Sequence, residues 1–157
     1  GRGSDVPDVH VRLSVAPGQV TVSGSASPEH GAENLVAEGT EGYWLRSPEQ
    51  LEVPWVQADL LSPQGVSIVR ILPREGHSDQ LPDGNSTLLE GSADGEGWEP
   101  LAVLGLDGES VNDEWISFPV HGTRAYRYYR ISFRDPDFSS LARLEFYAVN
   151  TGQNKEE

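Results

Sequence analysis

The residues best suited to chemistry stand in one polar stretch between Leu72 and Ser86: Arg74, His77, Asp79 and Asn85. A guanidinium, an imidazole, a carboxylate and a carboxamide all form directional hydrogen bonds. Carried on a loop, such groups serve recognition of a polar ligand. Catalysis asks for more: a nucleophile, a base and a group that orients the base, in one cleft. The sequence does not assemble that set. The histidines at 10, 30, 77 and 121 have no H-E-x-x-H spacing, and residues 105–108 do not form a phosphate loop. Neighbouring carboxylates carry little meaning in a chain with 25 acidic residues. Cysteine is absent, which removes disulfides and thiolate metal sites. The expectation is therefore a chain with no catalytic residue, no cofactor and no metal ligand set.

The elements that position the polar stretch are strands. Val66–Leu72 is rich in Val and Ile, which suit a pleated, half-buried surface. Pro73 lacks an amide donor and ends it. A second run begins near Ser86, so the loop leaves a sheet and returns to it. Asp94-Gly95 then supplies a hairpin turn that accepts positive φ. Upstream, residues 9–13 and 20–22 alternate on either side of Pro17-Gly18, as a hairpin or as two short strands. His10 is read on an outward face with a structural role. Residues 52–60 alternate, and Trp44 and Trp55 are both read as core, because large aromatics carry most core burial. Residues 115–118, 126–133 and 137–147 complete the set, with Tyr129, Ile131 and Phe133 on one face at period two. No helical period persists. Short strands at this spacing imply an all-β sandwich or barrel.

Several of these stretches carry a resemblance. Leu72-Pro73-Arg74, a polar loop, then Ser92-x-Asp94-Gly95-x-x-Trp98 resembles the discoidin, or coagulation-factor F5/8 type C, superfamily. The chain is most similar to its family 32 carbohydrate-binding modules. Ala32, Asn34, Val36 and Trp44 fit the family's opening frame. Trp55–Leu60 is similar to W-V-x-V-D-L, Arg127–Ile131 to R-Y-V-R-L, and Asp137–Tyr147 to the family's closing A-E-I-E-V-Y strand after a loop. The resemblance covers residues 20–148. It implies an antiparallel jelly-roll sandwich of about eight main strands, galactose-binding-domain-like, with ligand loops at one end.

The resemblance also implies a sugar site. Sugars present directed hydroxyls and one apolar C–H face, so a site pairs an aromatic platform with a few polar groups. Arg74 matches the family's arginine, Phe138 its aromatic and Glu29 its first-loop acid. The asparagine position falls on Asp79, with Asn85 as the alternative in a longer loop. The histidine that reads an axial galactose hydroxyl is replaced by Leu45, and His77 is the candidate substitute. The family's calcium ligands fall on Ala37, Gly42 and Arg143, with Glu38 one residue away. Arg143 is a cation at a carboxylate position, so the calcium site reads as lost. A guanidinium there would occupy the ion's place and pair with Glu38.

A formal charge of −14 argues against nucleic acid, for want of a basic footprint, and against anionic membranes. No apolar run is long enough to span a membrane. Residues 1–8, opening Gly-Arg-Gly-Ser, read as a scar or linker, 9–149 as the discoidin-like domain, and 150–157 as a disordered tail. The reading is a noncatalytic module that targets a larger secreted or surface protein, such as a glycoside hydrolase, to glycans. The resemblance implies an extracellular or cell-surface location and a monomeric module. The alternative is a discoidin-type protein-interaction domain without sugar binding.

Overall fold

A computed structural model of the chain describes residues 9–38, 42–45, 53–72, 87–104, 115–121, 124–133 and 140–149. The strands are β1 (His10–Arg12), β2 (Val20–Val22), β3 (Trp44–Leu45), β4 (Trp55–Gln64), β5 (Val66–Leu72) and β6 (Thr87–Ser92). They continue as β7 (Glu99–Val103), β8 (Ile116–Pro119), β9 (Tyr126–Phe133), β10 (Ser140–Leu141) and β11 (Arg143–Val149). One sheet has the order β1-β11-β5-β8 and the other β2-β4-β9-β6-β7, with β3 and β10 forming a separate ribbon. Every pairing is antiparallel. The helical content of the described residues is three 3₁₀ turns, Pro17–Gln19, Pro28–His30 and Ala32–Val36. The result is the expected all-β antiparallel sandwich.

Alternation decides which side chains face the core. Along β9, Tyr129, Ile131 and Phe133 point inward and are essentially buried. They meet Val69, Ile71 and Phe146 from the facing sheet in one hydrophobic cluster. Each such side chain contributes roughly 1.5–3 kcal/mol on burial. Trp44 is fully buried, stacks on Phe133 with ring centroids 5.7 Å apart, and donates its indole N–H to Gly24 O at 2.9 Å. Tyr129 spans the layer. Its hydroxyl donates to the Gln64 carbonyl and accepts the Val66 amide at 3.2 Å, which pins the β4–β5 turn.

The stretch around Pro17-Gly18 is not a hairpin: β1 pairs with β11 and β2 with β4, in different sheets. The two strands are separate elements that cap opposite layers. Trp55 is not a core residue. On β4 it is Val56, Ala58 and Leu60 that face inward, so Trp55, Gln57 and Asp59 lie on the outer face, half-buried. His10 has the structural role read for it, with Nδ1 2.7 Å from Ser67 Oγ.

Candidate binding end of the sandwich

Strand direction gathers a set of connections at one end. Leu72, the last residue of β5, pairs with Arg143, the first of β11. Thr87, at the start of β6, pairs with Phe133, at the end of β9, and the Phe133 amide donates to Pro54 O just before β4. The end of β2 joins the same group, because Ser23 N donates to Trp55 O and Ser23 Oγ accepts the Trp55 amide. Residues after β2, before β4, after β5 and after β9 therefore all leave the sandwich at one pole. Loops on a rigid rim of this kind are where ligand groups concentrate.

Of the sequence-predicted site residues, Glu29 lies among the described ones. It sits in the Pro28–His30 turn, exposed. Asn34 fixes that turn: its carboxamide N–H₂ donates to Glu29 O at 2.7 Å and to Tyr43 O at 2.9 Å. Ala26 N donates to Leu45 O, and Leu45 pairs with Ser140. Glu29 thus belongs to the segment bound against β3 and β10 at the loop-bearing pole. Arg74, His77, Asp79, Asn85 and Phe138 lie outside the described residues.

Sequence reasoning did not single out the His30–Tyr43 pair, whose rings stack at 4.3 Å with 14° between planes. The two residues are far apart along the chain and share no motif, so no sequence signal joins them. A second missed constellation lies on the outer face of the five-stranded sheet. Arg130 is sandwiched between Trp55, 4.1 Å away, and Trp98, 4.3 Å away. Its Nε and Nη2 both donate to Gln57 Oε1, at 2.9 and 2.6 Å. The Ser-x-Asp-Gly-x-x-Trp motif explains how Trp98 arrives there. Ser92 Oγ accepts the Gly95 amide, Asp94 Oδ1 accepts the Glu96 and Gly97 amides, and Gly95 takes φ +83°. Those amides hold the Asp94 carboxyl below its ordinary value.

Behind the pole lies Arg143, buried at 2% exposure. Its Nε donates to Ala37 O at 3.0 Å and its Nη1 to Gly42 O at 3.0 Å and Ala142 O at 2.7 Å. Nη2 reaches Glu38 O at 3.5 Å. The expected pairing with Glu38 is thus corrected in kind: the contact is to the main-chain oxygen, and Glu38 itself is exposed. These residues do not fit a calcium ion. Calcium takes six to eight oxygen ligands, and here a positive fork of N–H donors already occupies the carbonyls. Among the described residues, no group of three or more His, Asp or Glu gathers into a metal site.

An antiparallel sandwich with sheets of four and five strands is a discoidin-type architecture. A family model, the F5/8 type C domain, matches residues 19–146, and the chain belongs to that family. No curated protein sequence matches it. Among solved structures it is similar to a family 32 carbohydrate-binding module from Clostridium perfringens, solved with GalNAc-β-1,3-galactose. That likeness has 17% identity over 88% of this chain and 100% of that one, at TM-score 0.68. It is also similar to the family 62 carbohydrate-binding module of Clostridium thermocellum Xyl5A, with 13% identity, 88% and 97% coverage, and TM-score 0.70. The lectin domain of lectinolysin, complexed with Lewis B antigen, shares 16% identity over 83% of this chain and 92% of that one, at TM-score 0.64. At these identities the likeness is one of fold.

Proposed function

We propose that this chain is a noncatalytic carbohydrate-binding module, holding a glycan at the loop-bearing pole and targeting a larger secreted or surface protein to it. The observation that carries the reading is the convergence of strand ends. Leu72, where β5 ends, pairs with Arg143, where β11 begins, and β10 just before it pairs with β3, which supports a site built from the stretches that carry Arg74 and Phe138. The turn bearing Glu29 is bound to the same rim. Family membership and the fold support the reading, as does the absence of any assembled nucleophile–base pair in the sequence.

The roles follow from sugar chemistry. Arg74 donates paired hydrogen bonds to neighbouring hydroxyls, and Phe138 stacks on an apolar sugar face. Glu29 and Asp79 accept from hydroxyls, with Asn85 and His77 supplying further polar contacts from the longer loop. Leu45 stands where relatives read an axial hydroxyl, so the preferred sugar need not be galactose.

The test begins with a glycan array on the isolated domain, followed by calorimetric titration with the best glycan. Hydrogen bonds to a charged group contribute roughly 1.5–3 kcal/mol. Arg74→Ala is therefore expected to weaken binding by about tenfold to a hundredfold, and Phe138→Ala by a similar factor, with melting temperature unchanged. Full affinity in both variants would move the site elsewhere.

A further inference from the structure

The cluster of main-chain carbonyls around Arg143 is a cation socket by geometry. Ala37 O, Glu38 O and Gly42 O lie on either side of residues 39–41, between the Ala32–Val36 turn and β3, and Ala142 O belongs to the residue before β11. Carbonyl oxygens that converge repel one another unless a positive group lies between them. Here that group is a guanidinium. Its planar fork answers several oxygens at fixed angles, which an ammonium or a water does less well. Burial alone works against the charge, lowering the pKa of Arg143, yet a guanidinium stays ionised at any ordinary pH.

The same segment matters to the binding pole. Asn34, one turn before Ala37, holds the Glu29 turn and Tyr43 together. Gly42, at φ +84°, bends the chain back so that its carbonyl meets Nη1 and Trp44 can enter the core. A Cβ at Gly42 would also stand 3.1 Å from Asn34 Oδ1, so the Asn34 carboxamide would have to shift by a few tenths of an ångström.

We propose that Arg143 is the resident cation of this socket: a tethered guanidinium closes the fold at the place where the family resemblance implies calcium, and the wild-type chain has no structural use for the metal. The corollary is sharper than simple loss of a site. Replacing Arg143 by glutamate would remove the cation and add a carboxylate to three or four carbonyl ligands. That combination is a calcium site completed by water.

The test compares melting temperatures in EDTA and in about 10 mM calcium chloride, above the millimolar dissociation constants of weak sites. The wild type is expected to melt within about 1 °C in the two buffers, because a ligand that does not bind shifts nothing. Arg143→Glu is expected to melt lower than wild type in EDTA and to recover by several degrees in calcium. A wild-type melting temperature that drops in EDTA would overturn the proposal, and so would an Arg143→Glu variant that folds but ignores calcium. Should the glutamate variant fail to fold in either buffer, Arg143→Lys and Arg143→Met decide. Both keep an unbranched side chain, but only lysine keeps a charge. The lysine variant is expected to melt above the methionine variant, and equal or reversed order refutes a cation socket. None of these readouts involves a glycan, so the outcome is independent of the sugar-binding reading.

Discussion

Leu61 is the strained residue of the described chain. It is the one non-glycine residue there with positive φ, +72°, and its side chain is 62% exposed. It sits in the irregularity of β4 between Asp59 and Gln64, where the register with β9 shifts. Asp59 Oδ1 accepts the Leu61 amide at 2.8 Å and so holds the bend. A left-handed conformation costs an L-residue roughly 1–2 kcal/mol. Glycine avoids that cost but loses more chain entropy on folding, about 0.5–1 kcal/mol. Leu61→Gly is therefore expected to stabilise the fold modestly, raising the melting temperature by about 1–4 °C. A drop would mean that the exposed leucine makes a contact worth more than the strain. The two tryptophans show what is legible at this scale. Trp44 and Trp55 look alike in the sequence, each an aromatic in a strand-like run. Their opposite fates follow from parity, because Val56, Ala58 and Leu60 claim the inner face of β4 and turn Trp55 out to meet Arg130. The parity is readable from residues 52–60, and on β4 it outweighs the preference of a large aromatic for the core.

The turn from β6 to β7 shows how one short motif organises an element. Asp94 accepts two amides, Ser92 Oγ accepts the Gly95 amide, and Trp98 is delivered onto Arg130. Asp94 is depressed by the Glu96 and Gly97 amides. Asp59 is lowered by its hydrogen bonds from Arg127, and Glu99 by the Tyr126 hydroxyl and Arg124. For carboxyls whose folded pKa lies below the unfolded one, the stabilisation is fully present above the unfolded values, 3.8 for Asp and 4.5 for Glu. It disappears as pH falls through the folded values. Melting temperature is thus expected to be flat from neutrality to about pH 5 and to decline below about pH 4. Asp94→Asn keeps an acceptor and lacks the titrating charge, so its decline is expected to be shallower. An identical acid profile for the variant would remove Asp94 from the account. Strands were the most legible elements, since Val66–Leu72 and Tyr126–Phe133 appear where alternation and β-branched residues put them. What alternation does not carry is partner choice. The first two strands read as a hairpin or as separate strands, and only long-range pairing with β11 and β4 decides between them.

At the scale of the molecule, two sheets bury a shared aromatic and aliphatic core, and the ends of β2, β5 and β9 and the start of β4 gather at one pole, while the β4–β5 and β6–β7 turns lie at the other. The placement of Arg143 beneath that pole was partly legible: the sequence frame put a cation at a carboxylate position, although its carbonyl partners depend on a backbone path that no side-chain pattern encodes. The proposed sugar-binding residues were legible only through family resemblance. Polar loop residues obey no periodicity, and their roles depend on which strand ends stand together. The central claim is that the pole carrying those loops binds a glycan. Titration of the isotopically labelled domain with the best array glycan, followed by amide chemical shifts, tests it directly. Perturbation is expected at residues 26–30, 43–45, 71–72 and 140–142, with residues 62–66 and 93–98 at the opposite end unmoved. Shifts confined to the opposite end, or a spectrum that no glycan changes, would contradict it.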